Sequence, residues 1–581
     1  MSEGRVSRLR RIALLAAIPV TAAALIGTVH GSASGLDFST VYVDSARGGG
    51  EPFVIYSNAA GDLVYSSHEG TTLTQSSNFT GVTNCDIKPD DPTSSGGYIC
   101  TYDNQVNMWF STDGGHNWTH STGNPVATGF SDPSLTEDKC VAGACNVWNT
   151  GIDLANDALY ASSDGGQTWV GTPQCTPNGG DRPWLAGGQN GEVFLVSNAN
   201  AGGHTFYHGT TTVVGGQNVA VTCNPNGLTD SGGAGQIYYN HHDGSVIEPR
   251  SGSFMSTGHY SIGVLPNAST AWPSATGAPT GAFADPAIQN GPLSGPGSLE
   301  HWPAVAISTD TSSQAPAGTI YLVWDTAPRS NTGTVPAGQG CSGSTGSAIG
   351  GTSLQQGQIK LAYTNDEGQT RSAPIVISSG PGTVMWPWVA AGANGNVSVV
   401  WYQADQVTDP DCDSTHLAGG PVTNWSIQAM NLYGVTSGTP TTLQVNAVHD
   451  PVPGGPMANP HTNGTIHVGK VCEGGTTCAA TGEDRRLGDY FTNAIDQNGC
   501  VMIASGDTMQ NAPISNQPLP NSLPIFLQQT SGPSLTTGAD CAALEVNVPE
   551  VSTIVGLAGV GAVAAILMSQ RQRRRARGAL S

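Results

Sequence analysis

One short phrase occurs twice in this chain, about fifty residues apart, and fixes the local backbone wherever it stands. Ser111, Asp113, Gly115 and Trp118 form one copy of S-x-D-x-G-x-x-W, and Ser162, Asp164, Gly166 and Trp169 form the other. A partial third copy has Thr364, Asp366 and Gly368, with Arg371 where the tryptophan would stand. The glycines supply the positive φ angles of a tight hairpin, and the aspartate carboxylate accepts hydrogen bonds from the turn amides. The tryptophan folds back to cover the hairpin. Such residues predict repeated β-hairpins, and their expected role is structural.

The rest of the chain agrees. From about residue 36 to 545 it is Gly-rich and helix-poor, with short β-branched or aromatic runs between Gly, Asn, Asp and Pro clusters. This is an all-β pattern. About 510 residues is large for a sandwich and ordinary for a propeller. A looser repeat points the same way: a charged or aromatic residue near a proline enters an apolar strand, turns, and re-emerges as a second strand. It is seen at Asp181 to Ala186, His301 to Ala306 and Trp386 to Ala390, and without the proline at Asp489 to Phe491. Asp132, Asp86 and Asp285 mark further units. The expectation is a single β-propeller of six to eight four-stranded blades, seven being the central count. A strand near 524–527 closes the ring on one near Val41 or Phe53.

The S-x-D-x-G-x-x-W copies resemble the Asp-box (BNR) repeat of the sialidase-like β-propellers. The resemblance implies a propeller with these turns at its rim and a ligand at the mouth of the central channel. It covers residues 35–510 architecturally, with 511–548 read as last strands and a Pro/Ser/Thr-rich stalk.

Both ends of the chain read as targeting segments. Arg5, Arg8, Arg10 and Arg11 precede an apolar run and small residues to Ser34, the layout of a signal peptide over 1–34. Residues 549–581 join an apolar stretch to Arg571, Arg573, Arg574, Arg575 and Arg577, predicting a C-terminal transmembrane helix with its arginines cytoplasmic. With Val548, Pro549 and Glu550 ahead of it, this segment looks like a PEP-CTERM-type sorting signal, which implies a sorting transpeptidase as partner. The expected location is the cell envelope, membrane-anchored or released. Twelve cysteines suit an oxidising compartment. Pairing neighbours gives 85–100, 140–145, 175–223, 341–412, 472–478 and 500–541. Outside the two ends, 11 basic residues face 40 acidic ones, a net charge near −30. Such a field repels nucleic acid and anionic polymers.

Residues just before the innermost strands are expected to ring the channel mouth. Candidates for chemistry there are Asp181, Arg182, Arg485, Asp489 and Tyr490. Candidates for ligand contact are Trp184, Glu300, His301, Trp386 and Arg486. A sialidase needs three convergent arginines and a Glu-activated Tyr; Arg182, Arg250 and Arg485 or Arg486, with Tyr490 and Glu483, are the nearest supply. Other glycosidases need only two carboxylates across the mouth. No cofactor is expected. Ca²⁺ has hard-oxygen candidates in Asp409, Asp411 and Asp413 and in Asp86, Asp90 and Asp91, none at EF-hand spacing. The reading is a surface propeller binding glycans or another surface polymer. The alternatives are an exo-acting, sialidase-type glycoside hydrolase and a structural or adhesive protein.

Overall fold

Seven antiparallel sheets follow one another along the chain and close into a ring. The computed structural model describes residues 35 to 544, leaving out 46, 69–85, 88–97, 100–105, 122–130, 153–156, 172–181, 200–202, 214–218, 229–232, 252–258, 266–281, 285–302, 309–315, 327–357, 369, 379–381, 407–422, 449–463, 470, 472–483 and 510–521. Blade 1 runs Phe53–Ser57, Asp62–Ser67, Asn107–Ser111 and Thr119–His120 from the axis outward. Blades 2, 3, 5 and 6 begin at the axis with Ser131–Glu137, Trp184–Gly187, Ala304–Ile307 and Val384–Ala391. Blade 4 differs: its inner position is shared by two short strands, Gly233–Ala234 and Tyr238–Tyr239, both paired to Val246–Ser251.

Blade 7 is built from both halves of the sequence. Thr492–Ile495, Val501–Asp507 and Leu523–Ser531 are completed by Asp37–Tyr42 as the outermost strand. Val41 stands opposite Phe526, so the first of the two expected closures is the observed one. Asp86 does not open a blade; it sits in a two-stranded ribbon with Tyr98–Ile99, between the second and third strands of blade 1.

The second strands of blades 1, 2, 6 and 7 are buried at every position, polar residues included, because each is covered on both faces. Val397–Ala404 is buried at every position, since a blade packs between two neighbours. The main core cluster accordingly draws residues from all seven blades. The S-x-D-x-G hairpins join third to fourth strands and help hold adjacent blades together. Ser162 donates to Asp164 Oδ1 at 2.7 Å and accepts the Gly166 amide at 2.8 Å; Trp169 Nε1 donates to the Gly166 carbonyl. The first copy repeats this network, and the third repeats its Thr364–Asp366–Gly368 part. Gly115 packs on Phe526 of blade 7, and Trp118 meets that ring at 5.1 Å.

First strands start at what is here the upper face, so the turns from first to second strands lie at the lower one. Leu535 bonds to Ala393 and to Gly499 in two such turns. Residues 532–544 thus fold back beneath blades 6 and 7, ending in the short helix Cys541–Leu544, and Cys541 is bonded to Cys500. Ser531 donates to the Gly35 carbonyl, bringing the first described residue to the same lower edge. Of the expected disulfides, 140–145 and 500–541 are formed; the others involve residues outside the described set or side chains not described. Among the described residues no helix is long and apolar enough to cross a membrane, and residues 1–34 and 545–581 lie outside them.

Candidate functional site

Four blades enter their first strand through the same strained step. Glu51, Asp132, Arg182 and Trp386 have φ of 50°, 51°, 57° and 52°, and each is followed by a proline. Positive φ is costly for any residue with a Cβ, by about 1–3 kcal/mol each. A following proline narrows the allowed backbone further. In blades 2 and 6 the step is also a break in the strand register, between Ser131 and Ser134 and between Met385 and Trp388. Bulges of this kind re-aim a side chain at a barrel rim. Here they act at the upper end of the channel.

Below the steps the channel is closed by aromatic rings. Phe53, Trp184, Trp388 and Tyr490, from blades 1, 3, 6 and 7, meet with centroids 5.1 to 6.2 Å apart, and none is more than 3 % exposed. Trp184 is therefore a floor beneath the mouth, not a platform open to solvent. The Tyr490 hydroxyl donates to the Pro133 carbonyl at 2.6 Å. Burial, and then the charges of Glu51, Asp132 and Asp489, push that phenol well above its ordinary range. So placed, Tyr490 is a poor nucleophile. Beneath the plug a separate cavity of about 620 Å³ opens toward the lower face between Leu135, Ile237, Val389 and the rim residues Tyr56, Glu137 and His241.

The polar cluster above the plug is compact. Arg485 grips Asp489 with two parallel hydrogen bonds, one through Nη1 and one through Nη2 at 2.5 Å, and its Nη2 lies 3.7 Å from Glu51 Oε1. Asp132 accepts from the Ser131 hydroxyl at 2.6 Å and from the Arg182 amide at 3.1 Å. Glu51 is 1 % exposed, and no hydrogen bond reaches its Oε2. Burial, followed by the Asp132 and Asp489 charges, drives its carboxyl well above the usual range, against the opposing pull of Arg485. A side-chain hydrogen bond with Asp132 favours the protonated form of Glu51 in the same direction. His68 lies behind Arg485; burial and then that guanidinium lower it to about 3, so its ring is neutral.

The remaining candidates divide. Arg486 turns away into Asp484, with Nε–Oδ1 at 3.0 Å and Nη2–Oδ2 at 2.7 Å, and into the Thr508 carbonyl. Trp386 is 4 % exposed, its amide bonded to Asp325 and its ring 5.8 Å from Tyr402; its Nε1 is buried without a hydrogen-bond acceptor. Asp181, Glu300, His301, Glu483, Asp90, Asp91, Asp409, Asp411 and Asp413 lie outside the described residues, and the side chains of Arg250 and Asp86 are not described. Among the described residues the one grouping with metal-ligand spacing is Glu137, Cys140 and Cys145, and its two sulfurs are spent on a disulfide. Sequence reasoning collected Asp132, Arg182, Arg485 and Asp489 into this mouth but missed Glu51. The signal was present in Glu51-Pro52 ahead of Phe53, the same acid–proline entry as Asp132-Pro133.

No protein-family model matches this chain, and no curated protein does. Among solved structures it is similar to an α-L-arabinofuranosidase from Fusarium graminearum, at 13 % identity over 86 % of this chain and 99 % of that one, with a TM-score of 0.34. A sialidase from Streptococcus pneumoniae matches at 10 % identity over 63 % and 67 %, TM-score 0.34. A fucose-type ligand is bound in a third, the Aleuria aurantia lectin, at 11 % identity over 68 % and 91 %, TM-score 0.31. At these values the likeness carries no argument about activity. The propeller stands on the strand order alone.

Proposed function

We propose that this protein is an exported, envelope-attached propeller that binds glycans at its upper channel mouth. The observation that supports the reading is the set of strained entries, which set Glu51, Asp132, Arg182 and Trp386 at the starts of four first strands, at one end of the ring. Strain of this kind is retained where function needs it. Carboxylates and guanidinium groups held over an aromatic floor supply the paired donors and acceptors that sugar hydroxyls require. Attachment to the envelope is supported by the leader-like and anchor-like ends and by disulfides in the body.

The arginines argue against an acidic sugar such as a sialoside. Arg485 is matched by Asp489 and Arg486 by Asp484, which leaves no described pair of guanidiniums for a ligand carboxylate. A second reading, hydrolysis of another glycoside, is favoured by Glu51 alone: burial raises its carboxyl, and a raised carboxyl is what a general acid requires. The test is a glycan array with the disulfide-bonded protein, alongside a panel of fluorogenic glycosides. Binding abolished by Asp132→Asn and Arg182→Ala supports the reading. Turnover lost in Glu51→Gln makes the protein a hydrolase, and silence in both assays refutes any glycan function.

A further inference from the structure

We propose that the lower cavity binds a free single-chain amphiphile, its alkyl chain inside the channel and its anionic head group at Lys139. This site is separate from the upper mouth and does not depend on the glycan-binding reading. The cavity has a volume of about 620 Å³ and draws its lining from all seven blades. That size lies within the range of small-molecule sites, about 300–1,000 Å³. Phe53 and Trp388, on the underside of the aromatic plug, line its inner end. Leu135, Ile237, Ala306 and Val389 line its sides; all four are buried and carry no polar side-chain atom. Water in such a space finds few partners, so an alkyl chain that displaces it is favoured.

Two features of the opening choose the rest of the ligand. The first is its charge. Glu137 at the rim already accepts from the Ser57 hydroxyl at 2.7 Å and from Asn58, through Nδ2 at 2.7 Å and the amide at 3.0 Å. Asp138 is buried and accepts from Asn146, Trp148 and Gly191. Lys139 is exposed, and among the described residues no carboxylate pairs with it, whereas Arg47, Arg485 and Arg486 are each matched. Its charge reaches His241 on blade 4, whose imidazole is lowered by burial and then by that ammonium. The second feature is the hairpin after Lys139. Cys140 lines the cavity and is bonded to Cys145, and the residues between them, Val141 to Ala144, are exposed, Val141 by 57 %. This braced apolar tip gives an alkyl chain a further contact beside the opening. The net charge of −22 works against an anion at long range, so the walls carry the affinity and Lys139 chooses the head group.

Titration calorimetry of the disulfide-bonded full chain with hexanoate, octanoate, decanoate and decylammonium tests this. One carboxylate should bind per chain, tightening about fourfold with each added CH₂ until the cavity is full. Decanoate should bind better than decylammonium by about threefold or more, the reach of an exposed ion pair. Lys139→Gln should erase that preference and leave the chain-length dependence intact, because an exposed side chain can change without disturbing the walls. Ala391→Trp, at a half-buried lining position, should weaken every ligand at least tenfold, with an unfolding curve to show that the variant is folded. Binding of several molecules per chain, an affinity indifferent to chain length, or a preference for decylammonium overturns the inference. So does unchanged decanoate binding in either variant. Glycan binding at the upper mouth is read separately on the array and stands or falls without regard to these results.

Discussion

Two neighbouring glycines in the first S-x-D-x-G hairpin test whether these turns hold blades together or merely reverse the chain. Gly114 and Gly115 have φ of 73° and 92°, so alanine is strained at either. Around a Cβ built at Gly114 there is nothing within 4 Å, whereas one at Gly115 would stand 2.2 Å from Phe526 Cε1, on the next blade. Gly114→Ala should therefore cost the backbone term alone, about 1–2 kcal/mol. Gly115→Ala adds overpacking of about 1–3 kcal/mol, for a total of roughly 2–5 kcal/mol. Equilibrium urea unfolding of the disulfide-intact protein, followed by tryptophan fluorescence, measures both. Because the extra cost lies between blades, Phe526→Leu should recover part of it, and a double-mutant cycle should give a coupling of about 1 kcal/mol or more. Equal losses for the two glycines, or zero coupling to Phe526, would refute inter-blade packing as the reason for the second glycine.

Glu51→Gln should stabilise the protein at pH 8 relative to wild type and much less at pH 4. The folded carboxyl sits above its unfolded range, so its contribution is present at low pH and lost as pH rises through the folded value; thermal unfolding across pH checks it. Asp484 has the opposite sign. The neighbouring Arg486 and His467 outweigh burial and hold its carboxyl at about 2, so its contribution of about 2–3 kcal/mol persists above pH 4 and fades as pH falls toward 2. Asp484→Asn should flatten acid unfolding in that window. Replacing Cys500 and Cys541 together by alanine reopens a loop of 41 residues and should cost about 4 kcal/mol, read as a lower urea midpoint.

The hairpins were legible because their chemistry is local: Ser162, Asp164 and Gly166 satisfy one another within four residues. Most blade entries were legible for a related reason, since a proline beside Asp132, Arg182 and Trp386 marks a fixed backbone step. Two things were not. Trp184 and Tyr490 looked like mouth residues, but whether a side chain at a strand start points up to the mouth or down into the plug depends on a bulge of one residue. Arg486 was separated from Arg485 only by which acid each faces, Asp484 or Asp489, a choice made by the turn between them. Blade 4 lacks the proline entry altogether, beginning instead with Gln236 and Ile237, and left no repeat to find.

The outermost strand of blade 7 comes from the beginning of the chain and its neighbour from near the end, and they meet at Gly35 and Ser531 on the lower rim. Anything attached before residue 35 or after residue 544 therefore leaves the disc from the same edge. Held by either end, or by both at once, the ring keeps its acid-lined mouth turned outward and its 620 Å³ lower cavity turned toward the support. A pull between the two ends acts on one pair of strands at their open end. It would peel the ring at its seam before loading any other blade, and Cys500–Cys541 is the bond that sits behind that seam.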